Sequence, residues 1–153
     1  MLPTPKKYFV TAGASEGTTK MNAFDNALLQ ARIGNINLLR VSSILPPEAS
    51  YDPSLVLPPG SLVPTAYGYI QSCQPGELIA AAVGVGIDRT NHFGVIMEFS
   101  GRCSREEAVA QVEAMLREAF AVRGMELNEM KTAGAEHRVV ANGCALAAVP
   151  MWY

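Results

Sequence analysis

Little in this chain speaks for a metal, a membrane or a nucleic acid. Of its 153 residues, three are cysteine and two are histidine. Cys73, Cys103 and Cys144 lie far apart; the odd count argues against a disulfide framework, and the spacing fits no zinc pattern. They read as packing residues, because free cysteine usually behaves as a small hydrophobe. His92 and His137 are too few for a His-rich site, so no metal is expected. Charged residues make up only 17% of the chain, with both signs mixed and a net of −2. There is no basic block to hold nucleic acid and no acidic tail. No apolar run approaches the ~18 residues that span a bilayer; the longest, Leu78 to Ile87, is short and carries two glycines. The N-terminus, Met-Leu-Pro-Thr-Pro-Lys-Lys-Tyr, lacks the apolar stretch of a secretory signal. A soluble cytoplasmic protein is the expectation.

What is present is a globular composition, 49% hydrophobic, on a length that suits one domain. A chain of this size buries roughly 70% of its unfolded surface, enough for a core. Tyr8–Ala12 reads as a strand and Gly13–Lys20 as a turn-rich loop. Residues 22–33 read as a helix capped by Asn22 and stopped by Gly34. Asn35–Val41 reads as a strand, with Ile36, Leu38 and Val41 apolar. Six prolines then fall between Ser42 and Thr65, which predicts a long structured loop and excludes a central strand. Strand-like runs follow at Ala66–Cys73, Glu77–Ile87 and Phe93–Phe99. Gly84-Val-Gly86 lacks the third glycine and the helix of a dinucleotide fingerprint; close two-sided packing is its expected use. The second helix is better signposted: Ser104 with Glu107 makes a capping box, and Gly124 ends it. Strands from Glu126 to Val140 and from Gly143 to Val149 close the chain. Two helices among six or seven strands, not alternating one for one, predict an α+β fold of largely antiparallel sheets.

The chemistry concentrates at Ser42-Ser43, where an apolar strand meets the proline-rich segment. A serine hydroxyl can attack the preceding carbonyl in an N-to-O acyl shift. β-Elimination of the resulting ester, then loss of ammonia, leaves a pyruvoyl group. Such a ketone forms a Schiff base with an amine and acts as an electron sink. Taken alone, the dipeptide equally suits a turn or a cap. Glu98 interrupts the apolar run Gly-Val-Ile-Met-Glu-Phe with no basic neighbour in sequence. A raised pKa and a carboxyl that keeps its proton are expected there; a solvent-facing glutamate on a strand is the alternative. Asp25, three residues after Asn22, reads as a first-turn acid favoured by the helix dipole. Asn37 reads as a side chain that satisfies backbone groups at a sheet edge. Tyr67, Tyr69, Phe99 and Trp152 read as packing residues.

The surrounding text adds to this. Asn22-Ala-Phe-Asp25, Gly34-Asn-Ile-Asn37-Leu-Leu-Arg-Val-Ser-Ser43-Ile-Leu-Pro-Pro47, Val63-Pro-Thr-Ala-Tyr-Gly-Tyr69, Met97-Glu98, Gly101-Arg-Cys-Ser104, Gly143-Cys-Ala and Trp152-Tyr153 together resemble the pyruvoyl-dependent arginine decarboxylases over nearly the whole chain. The resemblance implies a four-layer α/β/β/α sandwich. It implies self-cleavage of the single domain 1–153 into a small β chain, 1–42, and a large α chain, 43–153. By this match Ser43 is the precursor of a covalent pyruvoyl cofactor, and Ser42 becomes the new C-terminus beside the substrate. Asn37 assists processing, Glu98 donates the proton, and Asp25 faces the substrate's guanidinium. The implied reaction converts L-arginine to agmatine and CO2, in trimers or a higher multiple with sites between subunits, without metal or PLP. Two alternatives stay open: a pyruvoyl decarboxylase of another amino acid, or an uncleaved, non-catalytic oligomeric binding protein.

Overall fold

The computed structural model describes residues 1–153. In chain order the elements are β1 (Lys7–Tyr8), β2 (Thr11–Glu16), α1 (Lys20–Gln30), β3 (Asn37–Arg40), β4 (Ile44–Leu45), β5 (Ser50–Tyr51), β6 (Leu62–Ser72), β7 (Leu78–Ile87), β8 (Gly94–Gly101), α2 (Arg105–Arg123), β9 (Glu129–Arg138) and β10 (Gly143–Trp152). One sheet runs β3-β6-β10, and the other edge of β10 is taken first by β2 and then by β1, which continues to β5. The second sheet runs β4-β8-β7-β9. Only β3–β6 and β1–β5 are parallel.

Side-chain alternation along single strands builds the layers. On β10, Ala145, Ala147 and Val149 join Val83, Val85 and Ile96 in the core between the sheets. The intervening Cys144, Leu146 and Ala148 pack against Ala23, Ala27 and Ala31 beneath α1. On β7, Ala80 and Ala82 turn the other way, to Val112, Leu116 and Phe120 of α2. Helix, sheet, sheet, helix is the expected sandwich. Gly84 and Gly86 let α2 approach: a Cβ at either would stand 2.6 Å from Val112 Cγ1 or Phe120 Cε1.

Three expectations are corrected. First, α1 starts at Lys20, not residue 22, because Thr19 caps it by accepting from the Asn22 N–H. It ends at Gln30 in a Schellman motif: Ile33 N–H donates to Leu28 O and Arg32 N–H to Leu29 O, both at 3.0 Å. The left-handed position is Arg32, φ 66°, not Gly34. Arg32 is held there by Phe9, whose ring lies 5.0 Å below its guanidinium, and by Pro53 O. Second, Gly13–Glu16 is strand rather than loop. Its small residues reflect helix contact, since a Cβ at Gly13 would stand 2.4 Å from Ala27 O. Third, the proline-rich segment contains β4 and β5, and Pro64 lies within β6. There β6 has only β3 beside it, because the β10 pairing begins at Thr65, so no ladder partner is lost. The α2 caps are as expected: Ser104 Oγ accepts from Glu107 N–H, and Gly124 is left-handed at φ 65°.

Candidate active site where the two sheets meet

Ser42 and Ser43 form the crossing between the sheets. Just before them, the Val41 N–H donates to Thr65 O of β6 at 3.1 Å, in the first sheet. Just after them, Ile44 pairs with Val95 in the second, and the Ile96 N–H donates to Ser43 O at 2.7 Å. The peptide between the serines is therefore anchored on both sides by strand pairing and spans the gap. Neither hydroxyl has a hydrogen-bond partner. The peptide bonds here are trans and neither serine has a positive φ, the nearest left-handed residues being Arg32 and Glu48. Ser42 borders an open pocket of about 280 Å3 that Leu2, Pro3, Pro46, Met151 and Tyr153 also line.

β8 carries Glu98 two residues beyond Ile96. Alternation puts Met97 and Phe99 toward α2 and Ile96 toward the inter-sheet core, so Glu98 faces the first sheet. The residue opposite is Gly68 of β6, where a Cβ would stand 3.0 Å from Glu98 Cγ. Glu98 makes no hydrogen bond or ion pair. Burial pushes its pKa above the usual carboxylate range, and the charge of Arg40 pulls in the other direction. The raised pKa expected from the apolar run is thus borne out. Arg40, which the sequence reading passed over, is the nearby charge. Its guanidinium donates to Tyr67 O at 2.8 Å and lies 4.6 Å from the centre of the Tyr67 ring. Ser100 Oγ donates to the next free carbonyl on that edge, Tyr69 O, at 3.1 Å. Gly68 was also missed. Its only sequence signal is a small residue between two tyrosines on an alternating strand.

The other two candidates lie elsewhere. Asn37 begins β3, and its amide donates to Gly60 O at 3.0 Å. Five residue steps along an extended chain separate it from Ser42, about 16 Å at ~3.3 Å per step. Within one chain it satisfies a loop carbonyl at the outer edge of its sheet. Asp25 is on the exposed face of α1, in the second turn rather than the first, and the first turn holds no acid. The helix dipole therefore does not account for it, and it has no hydrogen-bond or salt-bridge partner. Phe24 beside it packs on Tyr69, ring centres 4.9 Å apart.

A family model described as pyruvoyl-dependent arginine decarboxylase matches residues 7–153. The chain belongs to this family. A relative named pyruvoyl-dependent arginine decarboxylase from Methanocaldococcus jannaschii is 51% identical over 97% of this chain and 91% of its own length. Relatives of the same name from Thermococcus kodakarensis and Methanococcus maripaludis are 46% and 41% identical, covering 98% and 97% of this chain and 96% and 92% of theirs. Position 43 suits the acyl group the family name implies. Its hydroxyl is unengaged, its carbonyl is already tied to Ile96, and Glu98, its pKa raised by burial, stands on the same strand as that tie.

Proposed function

We propose that the chain cleaves itself between Ser42 and Ser43 and then decarboxylates L-arginine to agmatine. The observation that carries this reading is the crossing itself. A free serine hydroxyl sits on a peptide anchored to both sheets, and the strand that anchors it also bears a carboxyl whose pKa burial raises. In the cleavage, Ser43 Oγ attacks the Ser42 carbonyl carbon and the Ser42–Ser43 C–N bond breaks, giving an ester and a free amine. Elimination across Cα–Cβ of residue 43 expels the Ser42 carboxylate and leaves dehydroalanine. Tautomerisation and addition of water release ammonia and leave the pyruvoyl group at the head of 43–153. Both new ends remain fastened, residue 41 by Thr65 and residue 43 by Ile96, so the fold survives the break.

A pyruvoyl ketone at position 43 would supply a carbonyl for the substrate's α-amine and a sink for the electrons of the breaking Cα–carboxyl bond. The residues of the chain do the rest. Glu98 moves its proton to the substrate Cα as CO2 leaves. Ser42, by then a terminal carboxylate, lines the substrate. Asp25 has no partner within the chain, and a carboxylate can meet a guanidinium with two parallel hydrogen bonds. Its exposure on α1 suits delivery to the site of a neighbouring subunit of a trimer, and Asn37 assists the processing step. The test is release of CO2 and agmatine from arginine, against lysine, histidine and aspartate as competitors. Wild type should prefer arginine, Ser43→Ala should remain one chain without activity, and Asp25→Ala should raise KM for arginine. Equal turnover of the competitors, or an active Ser43→Ala, contradicts the reading.

A further inference from the structure

Glu98 is surrounded by groups that cannot charge at neutral pH. Val83 of β7 is in register beside it, and Gly68 of β6, between Tyr67 and Tyr69, lies opposite. α2 packs on the other face of β8. The one charge that bears on Glu98 is Arg40. Arg40 belongs to β3, which stays with β6 only as far as the Arg40–Thr65 pair. Beyond that point the β6 edge is open, and its carbonyls at Tyr67 and Tyr69 would go unmet. Arg40 takes the first of these and Ser100 the second. The guanidinium is thus clamped by a hydrogen bond below and a ring face alongside, one residue from the glycine that Glu98 touches. No ion pair forms within 4.0 Å, so the charge acts across space. It can bias the proton on Glu98 without capturing the carboxylate.

We propose that Arg40 is a positioning residue of the active site: its guanidinium, clamped on the open edge of β6, governs when Glu98 holds its proton. This rests on Glu98 being the proton donor. A buried carboxyl alone would be a reluctant acid, and its conjugate base would lack support once the proton had gone. A proton donor works best with a pKa near the working pH, and a fixed cation at a distance supplies that restraint. The pair explains why an exposed arginine two residues before the cleavage point is held on the carbonyl and ring of Tyr67.

The experiment uses uncleaved Ser43→Ala protein, so that its outcome does not depend on catalysis. The Glu98 carboxyl is followed with 13C-labelled glutamate by NMR over pH, assigned by difference with Glu98→Gln. Arg40→Gln should move the Glu98 midpoint upward. Arg40→Lys, which keeps the charge but not the clamp, should move it less. The Glu16 midpoint, on the opposite edge, should not move, and this reports an intact fold. In cleaved enzyme, the alkaline limb of kcat should move to higher pH in the same order, with KM for arginine within twofold of wild type. An unmoved Glu98 midpoint in the folded variants overturns the proposal. So does a raised KM with an unmoved limb, which would assign Arg40 to the substrate's carboxylate. Should Arg40→Gln fail to fold, Arg40→Met, which keeps the apolar stem and removes the charge, decides instead: an unchanged midpoint refutes the assignment. Loss of arginine turnover in wild type, with these midpoints as stated, would instead count against the proposed reaction.

Discussion

Two glutamates occupy opposite edges of the sandwich and are treated in opposite ways. At the β2–β9 edge, Glu16 accepts from the N–H groups of Val140, Ala141 and Asn142 at 2.8, 3.0 and 2.9 Å, and lies 2.7 Å from His137 Nε2. Burial pushes its pKa up, but these donors pull harder and leave it at about 2. At the β6–β8 edge, Glu98 has no donor, and burial prevails over the single charge of Arg40. Desolvation alone does not settle the state of a carboxyl; the count of donors aimed at it does. Glu16 is a carboxylate down to strongly acid pH and fastens the β9–β10 turn to β2. Glu98 has a raised pKa and no partner.

The largest effect should come from Glu98→Gln. The cleaved variant should lose about 10²–10⁴-fold in kcat, the range for a positioned general acid. Its stability should hold or rise at neutral pH. The folded-state pKa of Glu98 is raised, so in wild type its contribution falls as pH climbs from the ordinary carboxylate value through the folded one. Glutamine removes that loss. Denaturant unfolding at pH 7 beside steady-state rates checks both halves, and a stable variant with full kcat would erase the contrast between the two edges.

Glu16→Ala should do the reverse: the rate per folded molecule stays, while stability drops by about 2 kcal/mol as the charged acceptor of several hydrogen bonds is lost. Its pH dependence has the opposite sign to that of Glu98. The folded pKa, about 2, lies below the 4.5 of an ordinary glutamate. The stabilisation is therefore complete above about 4.5 and is lost as pH falls from there toward 2. Acid unfolding of wild type should steepen in that window, and that of Glu16→Ala should not.

Gly68→Ala gives the smallest effect. The added methyl meets Glu98 Cγ at 3.0 Å, so the carboxyl must shift by a few tenths of an ångström. A displacement of that size should cost about tenfold in kcat and under about 1 kcal/mol in stability. The same change at Gly84 would meet the branched side chains of Val112 and Leu116 instead and destabilise without touching the chemistry.

The legible parts of the fold were those whose signals are local. Ser104, Glu107 and Gly124 bound α2 through contacts within four residues, and the alternation of β10 carries two cores at once. The start of α1 was misread because Thr19 and Asn22 are both good caps, and only the register against β10 selects the first. Its end was misread because a glycine normally takes the left-handed position that Arg32 holds through Phe9 and Pro53. Glu98 was legible as an unusual carboxyl because its own strand is apolar. Arg40 and Gly68 were not, because their roles arise only where the open edges of β6 and β8 close on each other. Asn37 and Asp25 were picked out by resemblance, and the single chain leaves both apart from the junction.

The central claim is a break between Ser42 and Ser43, and the intact mass of the purified, folded protein tests it most directly. Two fragments, 1–42 ending in an unmodified serine carboxylate and 43–153 lighter than its encoded sequence by the change from serine to pyruvoyl and shifted by a hydrazine, are the predicted result. A single full-length mass, unreactive to hydrazine, in protein that releases CO2 from arginine would contradict it.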